Sequence, residues 1–165
     1  MSTRSAVATA AAALVGLAGL VGPVGTGVAH ADEPGPRVCP TRNFVIGAGW
    51  GADRGPRAHM GIDLGGRRGT PIFAVEDGVI DRTKRQDNGA LQIVMRGQSG
   101  SKFYYGHMDK VLVEGGQRVA AGEVIGLMGD SGSPGAVHLH FEFWRSGGES
   151  DAVDPEPLIR RICDV

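Results

Sequence analysis

His138-Leu139-His140-Phe141-Glu142-Phe143-Trp144 is the stretch that decides the fold of this chain. Leu139, Phe141 and Phe143 alternate with His138 and His140, the period of a β-strand with one apolar face. Side chains two apart on a strand point the same way, about 6.6 to 6.8 Å apart along it. Two imidazoles therefore look out from one face while three large apolar groups pack on the other. Outward from this segment, glycine and proline punctuate the chain at short intervals. Between them lie brief runs rich in β-branched and aromatic residues, which predict strands over residues 71–76, 78–82, 90–96, 102–107 and 123–128 in addition to 138–144. One short helix is predicted over residues 155–163, where Pro155 or Pro157 can open a helical turn. Many short strands, glycine-rich loops and little helix imply an all-β domain, either an antiparallel β-sandwich or a partly open barrel.

The 165-residue length suits a single domain, and its first 31 residues do not count towards that domain. A basic residue, Arg4, precedes an apolar stretch from Ala6 to Leu20, and the segment closes on Ala29-His30-Ala31. These are the three parts of a secretory signal peptide, with cleavage expected after Ala31. Pro23 and nearby glycines break the apolar run before it reaches the ~20 residues of a spanning helix. Residues 32–43 read as an extended, proline-containing arm, and residues 44–165 as the one folded domain. The exported chain is expected to be secreted, extracellular or in the cell wall, without membrane association after cleavage. Without Arg4 it carries 16 basic and 18 acidic side chains, so no basic footprint for nucleic acid is present. A monomer is the default expectation. Cys39 and Cys163 are the only cysteines, and an even count in an exported chain suggests a Cys39–Cys163 disulfide.

His30 leaves with the signal segment, which leaves His59, His107, His138 and His140. The His138/His140 spacing lets one ring bind a metal while its neighbour reaches a water beside it, although such a pair also occurs on solvated faces. His59-Met60-Gly61-Ile62-Asp63 adds an imidazole and a carboxylate four residues apart, bent around Gly61. Histidine with carboxylate suits zinc, and three protein ligands leave a fourth position open. Asp63 taken alone would as easily cap a turn. Tyr104-Tyr105-Gly106-His107 places Tyr105 and His107 on one strand face, with His107 as a candidate acid or base and Tyr105 as a candidate groove residue.

Together these segments resemble the lysostaphin/LytM family of zinc endopeptidases, over about residues 44–159. The resemblance is carried by H-x-G-x-D at His59 to Asp63, Tyr-Gly-His at Tyr105 to His107, Val119-Ala120-Ala121-Gly122-Glu123-Val124-Ile125-Gly126, and His138-Leu139-His140-Phe141-Glu142. It implies a fold of the duplicated hybrid motif type and one Zn2+ per chain, held by His59, Asp63 and His140. It implies that His107 and His138 are catalytic histidines, and that the substrate is the peptide stems and cross-bridges of bacterial peptidoglycan. Compared with common members, the chain is expected to carry neither an added wall-binding domain nor a long propeptide.

Three other functions compete with this reading. A catalytically inactive wall-binding or amidase-regulating relative would be expected to have lost ligands or catalytic histidines, and all five residues are present. Residues 119–130 also resemble the hairpin of biotinyl and lipoyl carriers, but no lysine follows Lys110 to receive the group. A zinc-scavenging binder would want four saturating ligands, and it leaves His107 and His138 without a role.

Overall fold

The computed structural model describes residues 35–165. The expected signal segment, residues 1–31, and the start of the arm lie outside the described residues. Among those described, the strands are β1 (Val45–Ile46), β2 (Ile62–Gly65), β3 (Pro71–Phe73), β4 (Gly78–Arg85), β5 (Leu91–Gly97) and β6 (Lys102–Gly106). They continue with β7 (Met108–Val111), β8 (Arg118–Val119), β9 (Val124–Met128), β10 (His138–Trp144) and β11 (Ala152–Val153), before helix α1 (Glu156–Cys163). The larger sheet runs β1-β2-β10-β6-β5-β4-β8, with β11 paired to β10, and the smaller runs β3-β9-β7. Both sheets are open and antiparallel, and neither closes into a barrel.

One apolar core joins the two sheets. Leu139 and Phe141 of β10 enter it, as do Ile62 and Leu64 of β2, Phe103 and Tyr105 of β6, and Ile72, Ile125 and Met128 of the smaller sheet. Phe141 packs edge-on to Tyr105 at 5.5 Å and stacks on Phe103 at 6.1 Å. Each such side chain taken fully out of water contributes about 1.5–3 kcal/mol, which is what holds β10 in the middle of its sheet. Helix α1 adds Leu158 and Ile159 to the same core.

The two-residue period of β10 then fixes the opposite face, which carries His138, His140, Glu142 and Trp144. Register places His140 opposite Asp63 on one side and Gly106 on the other. Gly61 makes the first pairing possible. A Cβ there would lie 2.4 Å from the Phe141 carbonyl oxygen and 2.9 Å from the His140 ring, so only glycine lets the chain pass this close to β10.

Several predicted boundaries differ from those observed. The strand expected over 71–76 ends at Phe73, because Val75 leaves the sheet: its N–H donates to the Tyr105 hydroxyl and its carbonyl accepts from Val38. His107 lies outside the strand expected over 102–107. Its φ of 63° bends the chain between β6 of the larger sheet and β7 of the smaller, so Tyr105 and His107 do not share a face. Tyr105 is fully buried and belongs to the core rather than to any groove. Strands β1, β2, β7, β8 and β11 are two to four residues long, too short to show a period.

The described part of the arm lies along β3 and α1. Val38 donates to Val75, Phe73 donates to Pro40, and the Thr41 hydroxyl donates to Pro71 at 3.0 Å. Cys39 and Cys163 form the expected disulfide, with Cα atoms 4.8 Å apart. No helix among the described residues is long and apolar enough to cross a membrane.

Candidate metal centre

Four imidazoles converge on one carboxylate, and each ring has one nitrogen tied down. His59 Nδ1 donates to the Gly49 carbonyl, His138 Nδ1 to that of Ala136 and His107 Nδ1 to that of Ser131, each at 2.7 Å. A carbonyl only accepts, so the proton must sit on Nδ1 in all three rings, and each Nε2 is left as a bare lone pair. His140 is reversed. Its Nε2–H donates to Glu142 Oε1 at 2.9 Å, which bares Nδ1 instead. Glu142 is itself buried, and its other oxygen accepts from the Trp144 indole N–H at 2.7 Å.

The bare atoms point at one another. His59 Nε2 lies 2.8 Å from His140 Nδ1, and these lie 3.1 and 3.0 Å from the same oxygen, Asp63 Oδ1. With neutral rings this is a triangle of three acceptors with no proton among them, an arrangement that asks for a cation at its centre. Tetrahedral zinc, with bonds near 2.0–2.1 Å, places its ligand atoms about 3.3 Å apart. The triangle is only slightly tighter than that, so the residues present fit the ion. His138 Nε2 is buried without a hydrogen-bond partner, 3.6 Å from Asp63 Oδ1. The His107 and His138 rings stand side by side with centroids 4.6 Å apart.

The electrostatics follow from burial and partners. Burial alone would raise the pKa of Asp63, but the His140 and His59 rings, which can donate to it only when doubly protonated, and the Arg54 guanidinium outweigh it and hold the carboxyl far below the usual range. Burial likewise works to lower the pKa of His140, and the carboxylates of Asp63 and Glu142, one at each ring nitrogen, favour the doubly protonated ring and reverse the direction. For His107 burial wins over the Ser131 carbonyl, and the imidazole titrates below its ordinary value.

An open cavity of about 190 Å³ gives access to these groups, lined by His59, His107, His140, Tyr104, Glu142 and Arg57 among others. All five residues singled out from the sequence therefore meet in one place: His59, Asp63 and His140 in the triangle, His107 and His138 beside it. Sequence reasoning missed Glu142 and Tyr104. Glu142 had a readable signal, because it lies two residues after His140 and so on the same strand face. Tyr104 did not, since its place beside His140, at a centroid distance of 5.7 Å, depends on the register of β6 with β10.

An antiparallel sandwich presenting two histidines and an aspartate around one point, with further imidazoles alongside, is the architecture of a metal-dependent hydrolase. The chain belongs to peptidase family M23, whose model matches residues 57–155. The catalytic domain of the antimicrobial peptidase lysostaphin from Staphylococcus simulans is similar in structure. Its TM-score is 0.64 at 32% identity, covering 72% of this chain and 93% of that one. A zinc-containing peptidase from Vibrio cholerae matches with a TM-score of 0.62 at 29% identity, covering 74% of this chain and 39% of that one. In sequence, the peptidoglycan DD-endopeptidase ShyC of Vibrio cholerae is 34% identical over 91 residues, which is 55% of this chain and 21% of that protein. The chain spans roughly a fifth to three-tenths of the length of the curated relatives it matches.

Proposed function

We propose that this chain is a secreted zinc endopeptidase that hydrolyses peptide cross-links of bacterial peptidoglycan. The single observation that carries the reading is the triangle of bare ligand atoms on His59, Asp63 and His140, flanked by two imidazoles whose free nitrogens are not used to hold it. His59 Nε2, Asp63 Oδ1 and His140 Nδ1 hold the ion, and one zinc per chain is expected. Zinc in this position acts as a Lewis acid, lowering the pKa of water towards about 7 and polarising a carbonyl.

The remaining steps fall to the chain's own residues. His107 and His138 each keep a proton on Nδ1 through a backbone carbonyl, so both present Nε2 as a base towards the same space. One accepts the proton of the attacking water. The protonated ring then donates to the oxyanion or to the departing amine. Glu142 keeps the His140 proton on Nε2 and thereby keeps Nδ1 free for the ion. The peptidoglycan substrate is supported by ShyC, and secretion by the signal-like residues 1–31.

The test is to count zinc per chain in protein purified without chelator, then to incubate it with peptidoglycan sacculi with and without chelator. One zinc per chain and chelator-sensitive release of new peptide amines is the expected result. Zinc without release from several wall types would overturn the enzymatic reading, and no zinc would overturn the metal site.

A further inference from the structure

Away from the triangle the same sheet face continues into a second cavity of about 230 Å³, which shares Arg57, Gln86, Tyr104 and Glu142 with the first. The two form one groove. Its floor is set by strand register. Glu142 on β10 faces Tyr104 on β6, Tyr104 faces Val94 on β5, and Val94 faces Arg82 on β4, while Lys84 stands opposite Gln92. A bulge in β4 between Ile80 and Arg82 sets this phase. Ile80 faces the core, and the extra residue, Asp81, lets Arg82 and Lys84 rather than Asp81 and Thr83 pair over the groove.

The charge in the groove does not cancel. Asp81 is taken up by Arg96 and Lys102, at 3.1 and 2.7 Å. Glu142 keeps its charge, but both of its oxygens are engaged by the His140 and Trp144 N–H groups. Arg57, Arg82 and Lys84 are exposed, line the groove, and form no ion pair among the described residues. Glu149 is the one exposed carboxylate lining it. Three exposed cations against exposed Glu149 and buried Glu142 leave the groove with an excess of positive charge, on a chain whose net charge is -1.

We propose that this groove is a subsite for a carboxylate-bearing segment of the peptide substrate, held by Arg57, Arg82 and Lys84, and that it makes the protein favour anionic stem peptides over uncharged ones. The inference rests on the endopeptidase reading and names the substrate class for it. Arg82 lies three strands from Glu142, about 14 Å across a sheet with strands ~4.8 Å apart, so the recognised carboxylate falls within about four residues of the scissile bond for an extended peptide. Arg57, which lines both cavities, covers the nearer part of that span. Ion pairs open to solvent are individually weak, each adding up to about fivefold, so discrimination comes from several acting together. It is also sensitive to salt.

The test uses cross-linked muropeptide dimers released from sacculi, with their free carboxylates either intact or converted to carboxamides, and the zinc-loaded protein. For the wild type, kcat/KM on the acid dimer is expected to exceed that on the amide dimer by about tenfold or more at low salt, chiefly through KM, and the ratio shrinks as salt rises. In Arg82→Gln/Lys84→Gln the ratio falls several-fold, to what Arg57 alone supports. In Arg82→Glu/Lys84→Glu the amide dimer becomes the better substrate, an inversion that a merely misfolded variant cannot produce. Equal rates on the two dimers with the wild type, or a ratio unchanged in both variants, overturns the subsite while leaving the endopeptidase reading intact. Cleavage of neither dimer overturns the endopeptidase reading, and the subsite with it.

Discussion

Replacing Glu142 with glutamine changes one oxygen to nitrogen at a buried position and is expected to weaken zinc binding by about 10- to 100-fold, the usual cost of losing the partner that orients a histidine ligand. In the native arrangement two donors, His140 Nε2–H and Trp144 Nε1–H, share the two oxygens of Glu142. Glutamine offers one oxygen, so one donor must go without. If the amide oxygen turns to Trp144, its NH2 group faces His140 Nε2, which must become the bare nitrogen. The His140 proton then moves to Nδ1, into the centre of the triangle, where His59 Nε2 is 2.8 Å away. If it turns to His140 instead, the tautomer survives but the ring loses one of the two carboxylate charges that raise its pKa. Both outcomes weaken the same bond, by about 1.4 kcal/mol for each factor of ten.

The assay is competition for zinc against a chelator of known affinity, followed by melting at fixed free zinc. Each tenfold loss in affinity removes about 1.4 kcal/mol of zinc-dependent stabilisation once the site is mostly filled. Trp144→Phe supplies the control, because it removes one donor and leaves the carboxylate to His140. Its zinc affinity is expected to stay within a few-fold of wild type. Unchanged zinc affinity in Glu142→Gln would refute the argument that the outer carboxylate sets the His140 tautomer.

Three further outcomes are expected. His107→Ala keeps its zinc and loses turnover by about 10²- to 10⁴-fold, the usual contribution of a general acid–base group, whereas His140→Ala loses both zinc and activity; release of zinc by His107→Ala would show that the ligand set is wrong. Because burial lowers the pKa of His107, its neutral form is favoured in the fold: that stabilisation is present above the ordinary value of 6.5 and is lost as pH falls through the lower folded-state value. The acid limb of kcat/KM is accordingly expected below pH 6.5, and a limb centred above it contradicts the assignment. Replacing both cysteines by serine opens a loop closed over 124 residues of sequence, worth about 5 kcal/mol on chain entropy alone and commonly 2–4 when measured. Calorimetry should show a fall in Tm on the order of 10 °C with zinc binding retained, and a Tm within a degree or two of wild type would contradict it.

How far the sequence discloses this molecule depends on whether a signal is local. The two-residue period of His138 to Trp144 is local, and it gave both the central strand and the outward direction of His138 and His140. The spacing of His59 and Asp63 around Gly61 is local too, although the reason for glycine is not: it lies in the Phe141 carbonyl, 80 residues away. His107 was legible as a residue but not as a conformation. Its left-handed φ of 63° ends β6 and separates it from Tyr105, and a histidine after Tyr-Tyr-Gly carries no visible mark of that turn. Short strands such as β2, where Ile62-Asp63-Leu64-Gly65 includes two residues disfavoured in sheets, form because β10 lies beside them. The basic groove was illegible for the same reason, since Arg57, Arg82 and Glu142 meet only through register and a bulge.

The bridge between Cys39 and Cys163 also has a mechanical meaning. It brings the two ends of the domain to 4.8 Å between Cα atoms and encloses both sheets, the metal centre and the groove within a single covalent ring. Tension arriving through residues before Cys39 or after Cys163 passes across the sulfur–sulfur bond and does not reach the strands between them. A domain pulled from either end therefore carries the load across this one bond, outside the strands that set the distances among its histidines.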